Sequence, residues 1–246
     1  MKRKKIMIFS ISFIFIIGVF FSSYKIINWY ISNQKNKKLN EELLEIVENS
    51  KDEINKKEQE DVIDFSKALE LNKDIVGYLV VNGTNIKYLV VQGKDNDFYL
   101  NHSIDKSYNI SGSIFVNFLN KLDGTDKNIS IFGHNTRDGS MFGTLRNVLT
   151  KEWKANPLNL KIEFITLNGK QIYEVFSTYK IKAENYYFKN SFSSELEYIE
   201  FLNTLKKRSD YDYQTDILNS NEIITISSCD VDNKYRVVLH AKRISI

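Results

Sequence analysis

The sequence contains one cysteine, Cys229, and three histidines, His102, His134 and His240. A single thiol cannot close an intramolecular disulfide or build a Cys-cluster zinc site. It can act as a nucleophile if a base takes its proton and a donor steadies the oxyanion its attack creates. Cys229 ends the run Ile223-Ile224-Thr225-Ile226-Ser227-Ser228-Cys229. In strand geometry Ile223, Thr225, Ser227 and Cys229 share one face. The thiol therefore stands at the C-terminal end of a strand, beside hydroxyl side chains and before the polar turn Asp230-Val231-Asp232-Asn233-Lys234. Free cysteine is often only a small buried hydrophobe. Strand-end placement and an exported location, argued below, favour a chemical role.

His134 also follows an apolar strand, Ile129-Ser130-Ile131-Phe132, and opens a loop through Gly133-His134-Asn135. Loops at strand ends are where catalytic groups are displayed. A thiol and an imidazole can exchange a proton to give a thiolate–imidazolium pair. His102 in a polar loop and His240 inside a strand read as structural. Arg236 begins the last strand, seven positions after Cys229, and a tight antiparallel connection would return it to the thiol. Its guanidinium is always charged and presents several donors, as an oxyanion stabiliser requires. A surface arginine on an edge strand is the alternative. Cys229 and His134 are far apart in the chain, so only the fold can pair them.

The elements that must do this read as short strands with turn signals. They fall at Gly77–Val81, Asn85–Val91, Ser113–Phe118, Asn128–Phe132, Leu160–Leu167, Gln171–Ile181, Glu222–Ser228 and Tyr235–Lys242. Asn82-Gly83 and Asn168-Gly169 supply the positive φ angles of tight hairpin turns. Leu160, Ile162 and Phe164 alternate with Lys161 and Glu163, as a half-buried strand requires. About eight strands with few helices predict a mainly β fold, a closed or nearly closed barrel without exposed edges. One helix interrupts them: Ser194 and Glu197 form a capping box, Leu196, Ile199, Leu202 and Leu205 follow, and Lys206, Lys207 and Arg208 close the last turn. Val62, Phe65 and Leu69 mark a shorter helix at the start of the domain.

The N-terminus reads Met1-Lys2-Arg3-Lys4-Lys5 before an uncharged run, Ile6–Tyr24, of 19 residues. That is enough helix to cross a bilayer core. The four basic residues place the N-terminus in the cytoplasm and the rest outside, with Trp29 and Tyr30 at the far interface. No small-residue cleavage site follows, so the segment reads as an uncleaved anchor and not as a signal peptide. The expected layout is a cytoplasmic tail at 1–5, an anchor at 6–31, a charged, solvated helical stalk at 32–60 and an extracellular domain at 61–246. The net charge of +3 and the absence of a basic patch interleaved with aromatics argue against nucleic acid. No D-x-D-x-D-G spacing of a calcium loop occurs, and no metal or cofactor is expected.

Together these motifs resemble the sortase family. Thr225-Ile226-Ser227-Ser228-Cys229-Asp230 followed by Arg236-Val237-Val238 is similar to the family's T-L-x-T-C signature and its arginine strand. Ile226 stands for the usual Leu and Ser228 for the usual Thr. Ile131-Phe132-Gly133-His134-Asn135 resembles the histidine motif. Asp95-Asn96-Asp97-Phe98-Tyr99-Leu100-Asn101-His102, Gly112-Ser113-Ile114-Phe115-Val116 and the helix at 194–207 resemble class B members. The resemblance covers roughly residues 61–246. It implies an eight-stranded barrel with N-terminal helices and a helix in the loop before the cysteine strand. It implies a cysteine transpeptidase with Cys229 as nucleophile, His134 as acid/base and Arg236 as oxyanion stabiliser, and with Ser227 as a substrate contact. The substrates implied are secreted proteins with a C-terminal sorting motif, joined to an amine of peptidoglycan or its lipid-linked precursor. A membrane-tethered cysteine peptidase releasing products by hydrolysis is one alternative. A non-catalytic anchored β-barrel is another.

Overall fold

Apolar side chains of eight strands fill the inside of a barrel, many strands are buried on their outer face as well, and closing the sheet removes its edges. The computed structural model describes residues 2–55, 64–217, 222–229 and 234–244. Its strands are β1 (Ile75–Val81), β2 (Ile86–Val91), β3 (Ile114–Val116), β4 (Asn128–His134), β5 (Lys161–Thr166), β6 (Gly169–Lys182), β7 (Ile223–Cys229) and β8 (Tyr235–Ile244). They form a closed barrel in the order β1-β2-β3-β4-β7-β8-β6-β5. The predicted eight-stranded barrel is borne out, and each expected strand has its counterpart. The helices are α1 (Lys2–Asn55), α2 (Ser66–Leu71), α3 (Lys151–Ala155) and α4 (Glu195–Arg208). Residues 56–63, which include the expected domain start at Asp61 and Val62 of the expected helix face, lie outside the described residues, as does most of the turn at 230–233.

Strand alternation sorts the side chains into two layers. Ile129, Ile131, Ile224, Ile226, Val237 and Leu239 belong to the cluster inside the barrel. On the outside, α2 and part of α1 cover β1 and β2 around Tyr78, Leu89 and Tyr99. A third cluster joins Tyr198, Leu202 and Leu205 of α4 to Phe176 of β6, Ile223 of β7 and Val238 of β8. Both Asn-Gly turns carry positive φ at the glycine, +71° at Gly83 and +122° at Gly169. The capping box of α4 is shifted by one residue. Ser194 accepts from the Glu197 N–H as expected, but the Glu197 carboxylate accepts from the backbone of Ser193 at 2.6 Å, not from Ser194. That carboxylate also meets the Ser193 hydroxyl and the Lys189 ammonium, which draw it back along the chain.

The charged segment after the apolar run departs from a solvated stalk. Its described part, to residue 55, continues α1 without a break, and residues 33–44 lay one face on the barrel. Asn33, Asn36 and Leu43 are buried there. Asn33 donates to Asp138 at 2.5 Å, and Asn36 donates to the Gly112 carbonyl at 3.2 Å. Spacing of three to four residues puts these groups on one stripe of the helix, and the polar members of that stripe find partners on two loops of the barrel. Among the described residues, α1 contains the one stretch long and apolar enough to cross a membrane.

Candidate active site

Three strand ends meet at one rim of the barrel. Strands β4 and β7 run parallel, and the last matched pair in their register is His134 with Cys229. Strands β7 and β8 run antiparallel, and their pair at the same end is Cys229 with Arg236. Adjacent strands lie about 4.8 Å apart. The backbone of Cys229 is therefore flanked by the histidine on one side and the arginine on the other, each one strand away. The alternation that places Ile131 and Val237 inside the barrel assigns positions 134 and 236 to its outer face. The long separation between His134 and Cys229 is bridged by seven matched residue pairs, Asn128–Ile223 through His134–Cys229.

The histidine is fixed by a group that carries no side-chain signal. Nε2 of His134 lies 2.8 Å from the Leu100 carbonyl. A carbonyl only accepts, so Nε2 bears the hydrogen of this contact and the ring is held in one orientation. Leu100 ends a short 3-10 turn, Phe98–Leu100. Gly112 packs directly beneath it with φ +59°, and a Cβ there would stand 2.6 Å from the Leu100 oxygen. Only glycine leaves that carbonyl where His134 needs it.

Arg236 is half-buried at the start of β8, and its Nη1 donates to the Tyr235 carbonyl at 3.1 Å. It borders a cleft of about 810 Å³ whose walls include Leu100, Phe115, Asn117, Phe188 and Ser227. Phe132 of β4 stacks edge-on against Phe188 and forms the apolar floor between them. Ser227 is buried, and its Oγ lies 3.2 Å from the Tyr187 hydroxyl. Its hydroxyl is thus already engaged on the wall of the cleft. Among the described residues no group of three His, Cys, Asp or Glu could hold a metal ion.

The other histidines stand apart from this rim. His102 stacks on Phe98 at 4.0 Å and its Nδ1 meets the Phe98 carbonyl. His240 is completely buried, held between Thr225 at Nδ1 and the Tyr179 hydroxyl at Nε2. Burial pushes its pKa from 6.5 down to about 3. The unfolded chain therefore binds a proton that the folded chain refuses, and stability falls as the pH drops below about 6.5. Glu222, whose pKa burial raises, acts in the opposite sense, so a difference measurement is needed. Between pH 6.5 and 4.5 the wild type should lose up to about 1.4 kcal/mol per pH unit relative to His240→Gln. Unfolding midpoints of the two proteins across that range check this; parallel curves would contradict it.

A closed eight-stranded barrel with cysteine, histidine and arginine on neighbouring strand ends defines a class of thiol acyl-transfer enzymes, and residues 79–244 match the sortase domain. The chain belongs to the sortase family, whose members are cysteine transpeptidases. It is 31% identical over 238 residues to sortase B of Listeria monocytogenes, covering 94% of each chain. Its fold is similar to that of Staphylococcus aureus sortase B solved as a substrate complex, with TM-score 0.78, 28% identity, and 88% of this chain and 99% of that one covered. It is also similar to Bacillus anthracis sortase B in complex with AAEK1, with TM-score 0.76, 31% identity, and coverage of 88% and 100%. These relatives place it with the class B sortases.

The sequence singles out all three strand-end residues, but not the Leu100 carbonyl, Gly112 or the aromatic wall at Phe188. A backbone acceptor has no residue type to betray it. Leu100 lies inside the segment Asp95–His102, whose resemblance to class B members is carried by the segment as a whole.

Proposed function

We propose that this enzyme cuts a C-terminal sorting motif of secreted proteins after threonine and transfers them to a peptidoglycan amine. The observation that carries this reading is the register His134–Cys229–Arg236 across three adjacent strands. The Cys229 thiolate attacks the threonine carbonyl carbon, forming the C–S bond and a tetrahedral oxyanion. Arg236 donates to that oxyanion. As the C–N bond breaks, His134 gives a proton to the leaving amine. The acceptor amine then attacks the thioester, His134 takes its proton, and the thiolate leaves. The scheme splits one difficult amide exchange into two easier steps. A thiol titrates near about 8.5 and an imidazole near about 6.5 without neighbours, so only a fraction of such pairs is ionic at neutral pH.

The substrate motif lies in the cleft beside Arg236, with Ser227 as a wall contact through its backbone and the Tyr187-bound hydroxyl. Residues 1–5 are cytoplasmic, 6–31 span the membrane, and the catalytic domain works outside the cell on lipid-linked or polymerised peptidoglycan. A peptide library carrying candidate sorting motifs, incubated with the full chain with and without an amine acceptor, tests the reaction. Mass analysis should show cleavage after threonine and a ligated product that needs the acceptor. Identical hydrolysed products in both arms would identify a peptidase instead.

A further inference from the structure

The loop that follows His102 folds back on helix α1. Lys35 pairs with Asp105 at 2.9 Å, and Asn109 donates to the Ser32 carbonyl at 3.2 Å. An isolated bridge between His102 and Tyr108 shapes the loop, and its tip presents Tyr108 and Ile110 to solvent, 68% and 58% exposed. These two side chains and the helix residues Lys25, Asn28, Trp29 and Ser32 line one recess of about 480 Å³. Tyr108 meets the edge of the His102 ring at 6.1 Å, yet both it and Ile110 keep most of their surface open.

The helix says what lies beside them. A helix rises 1.5 Å per residue, so about 20 residues cross a hydrocarbon core of about 30 Å. Counted from Ile6, the core ends near Lys25. The headgroup layer extends a further 5–7 Å or so, which is about four or five residues, to the neighbourhood of Trp29 and Tyr30. Tyr108 and Ile110 stand against this stretch. An aromatic with a polar tip beside an aliphatic residue suits the boundary between headgroups and acyl chains.

We propose that Tyr108 and Ile110 are seated in the outer-leaflet headgroup layer, as a second membrane contact beside the helix. A single helix leaves a domain free to tilt and swivel; a second contact on a loop sets its orientation. The inference rests on the reading of α1 as a membrane anchor. The test uses the full chain in nanodiscs of phosphatidylethanolamine and phosphatidylglycerol, in a Cys229→Ala background so that one introduced thiol takes a nitroxide label. Labels go at Ile110→Cys, at Ile17→Cys in the anchor, and at Leu196→Cys, an equally exposed apolar position on α4 (66%). Oxygen partitions into lipid and a nickel chelate stays in water, so the ratio of their collision rates reports depth. At position 110 the ratio should lie clearly above that at 196 and below that at 17, as a site at headgroup depth requires. A ratio at 110 equal to that at 196, with 17 lipid-like, overturns the second contact and leaves the anchor standing. A water-like ratio at 17 overturns both. Shielding of 110 from both reagents means a protein partner covers the tip, and overturns the lipid contact.

Discussion

Cys229→Ala is expected to lose all acyl-enzyme formation with a sorting-motif peptide, and turnover should fall by a factor on the order of 10⁶, as when a hydrolase loses its serine nucleophile. The geometry explains why nothing substitutes. Ser227, two residues earlier on the same strand face, has its hydroxyl on Tyr187, and it pairs across the strands with Phe132 and Val238, not with the histidine or arginine. Ser228 faces the other way. Trapping with peptide and intact-mass analysis checks this: wild type gains the acyl mass and the variant does not. Full activity in the variant would sink the assigned nucleophile. The fold should be untouched, because removing one sulfur atom at a strand end leaves the ladder's backbone hydrogen bonds in place.

Arg236→Lys is expected to cost about 10²–10³ in kcat, the range seen when one oxyanion donor is removed, which is about 3–4 kcal/mol of transition-state stabilisation. KM should change little, because the lost interaction forms only as charge develops on the carbonyl oxygen. The charge is conserved in this substitution, so the prediction separates charge from shape. A guanidinium is a rigid fork with five N–H groups, and the Tyr235 carbonyl at 3.1 Å orients its plane without exhausting it. An ammonium on a flexible stem that bonds the same carbonyl loses its aim at the oxyanion. Steady-state kinetics on a cleaved peptide, with the thioester step followed separately, decides the matter. A kcat within a few-fold of wild type would mean that Arg236 acts only as a local positive charge.

Much of this architecture is legible from local pattern. The strands follow from alternation, as in Leu160–Phe164. Two of the hairpin turns follow from Asn-Gly pairs whose glycines take φ of +71° and +122°. Helix α4 follows from its cap and its apolar stripe. These signals are local, and local physics decides them. The pairing of His134 with Cys229 is different. It depends on a parallel match between β4 and β7, separated by a long stretch of chain, and no spacing in the sequence encodes it. Only the family resemblance pointed to it. His240 could be assigned to a strand, but its partners Thr225 and Tyr179 come from two neighbouring strands, so its full burial and low pKa emerge only with the barrel. The density of acidic and basic residues in segment 32–60 suggests solvation, and those described, from Lys35 to Glu45, are exposed. The few that decide its fate, Asn33, Asn36 and Leu43, are a minority at helical spacing.

Docking of that minority ties residues 33–44 to the barrel. Leu39, Leu43 and Leu44 share a cluster with Tyr78, Val80 and Leu89 on the outer face of β1 and β2. Cutting the chain at residue 61 would strip this cover and leave an apolar strip of sheet facing water. Loss of Leu43 alone forfeits about 1.5–3 kcal/mol of burial, and a bare β-surface of that kind invites self-association. The same cut removes Asn33 from Asp138 and Asn36 from Gly112, the latter only a carbonyl away from the support of His134. A version of this enzyme that keeps this cover starts near Ser32, just ahead of Asn33. The stretch that a charge count marks as a tether belongs, by its contacts, to the catalytic body.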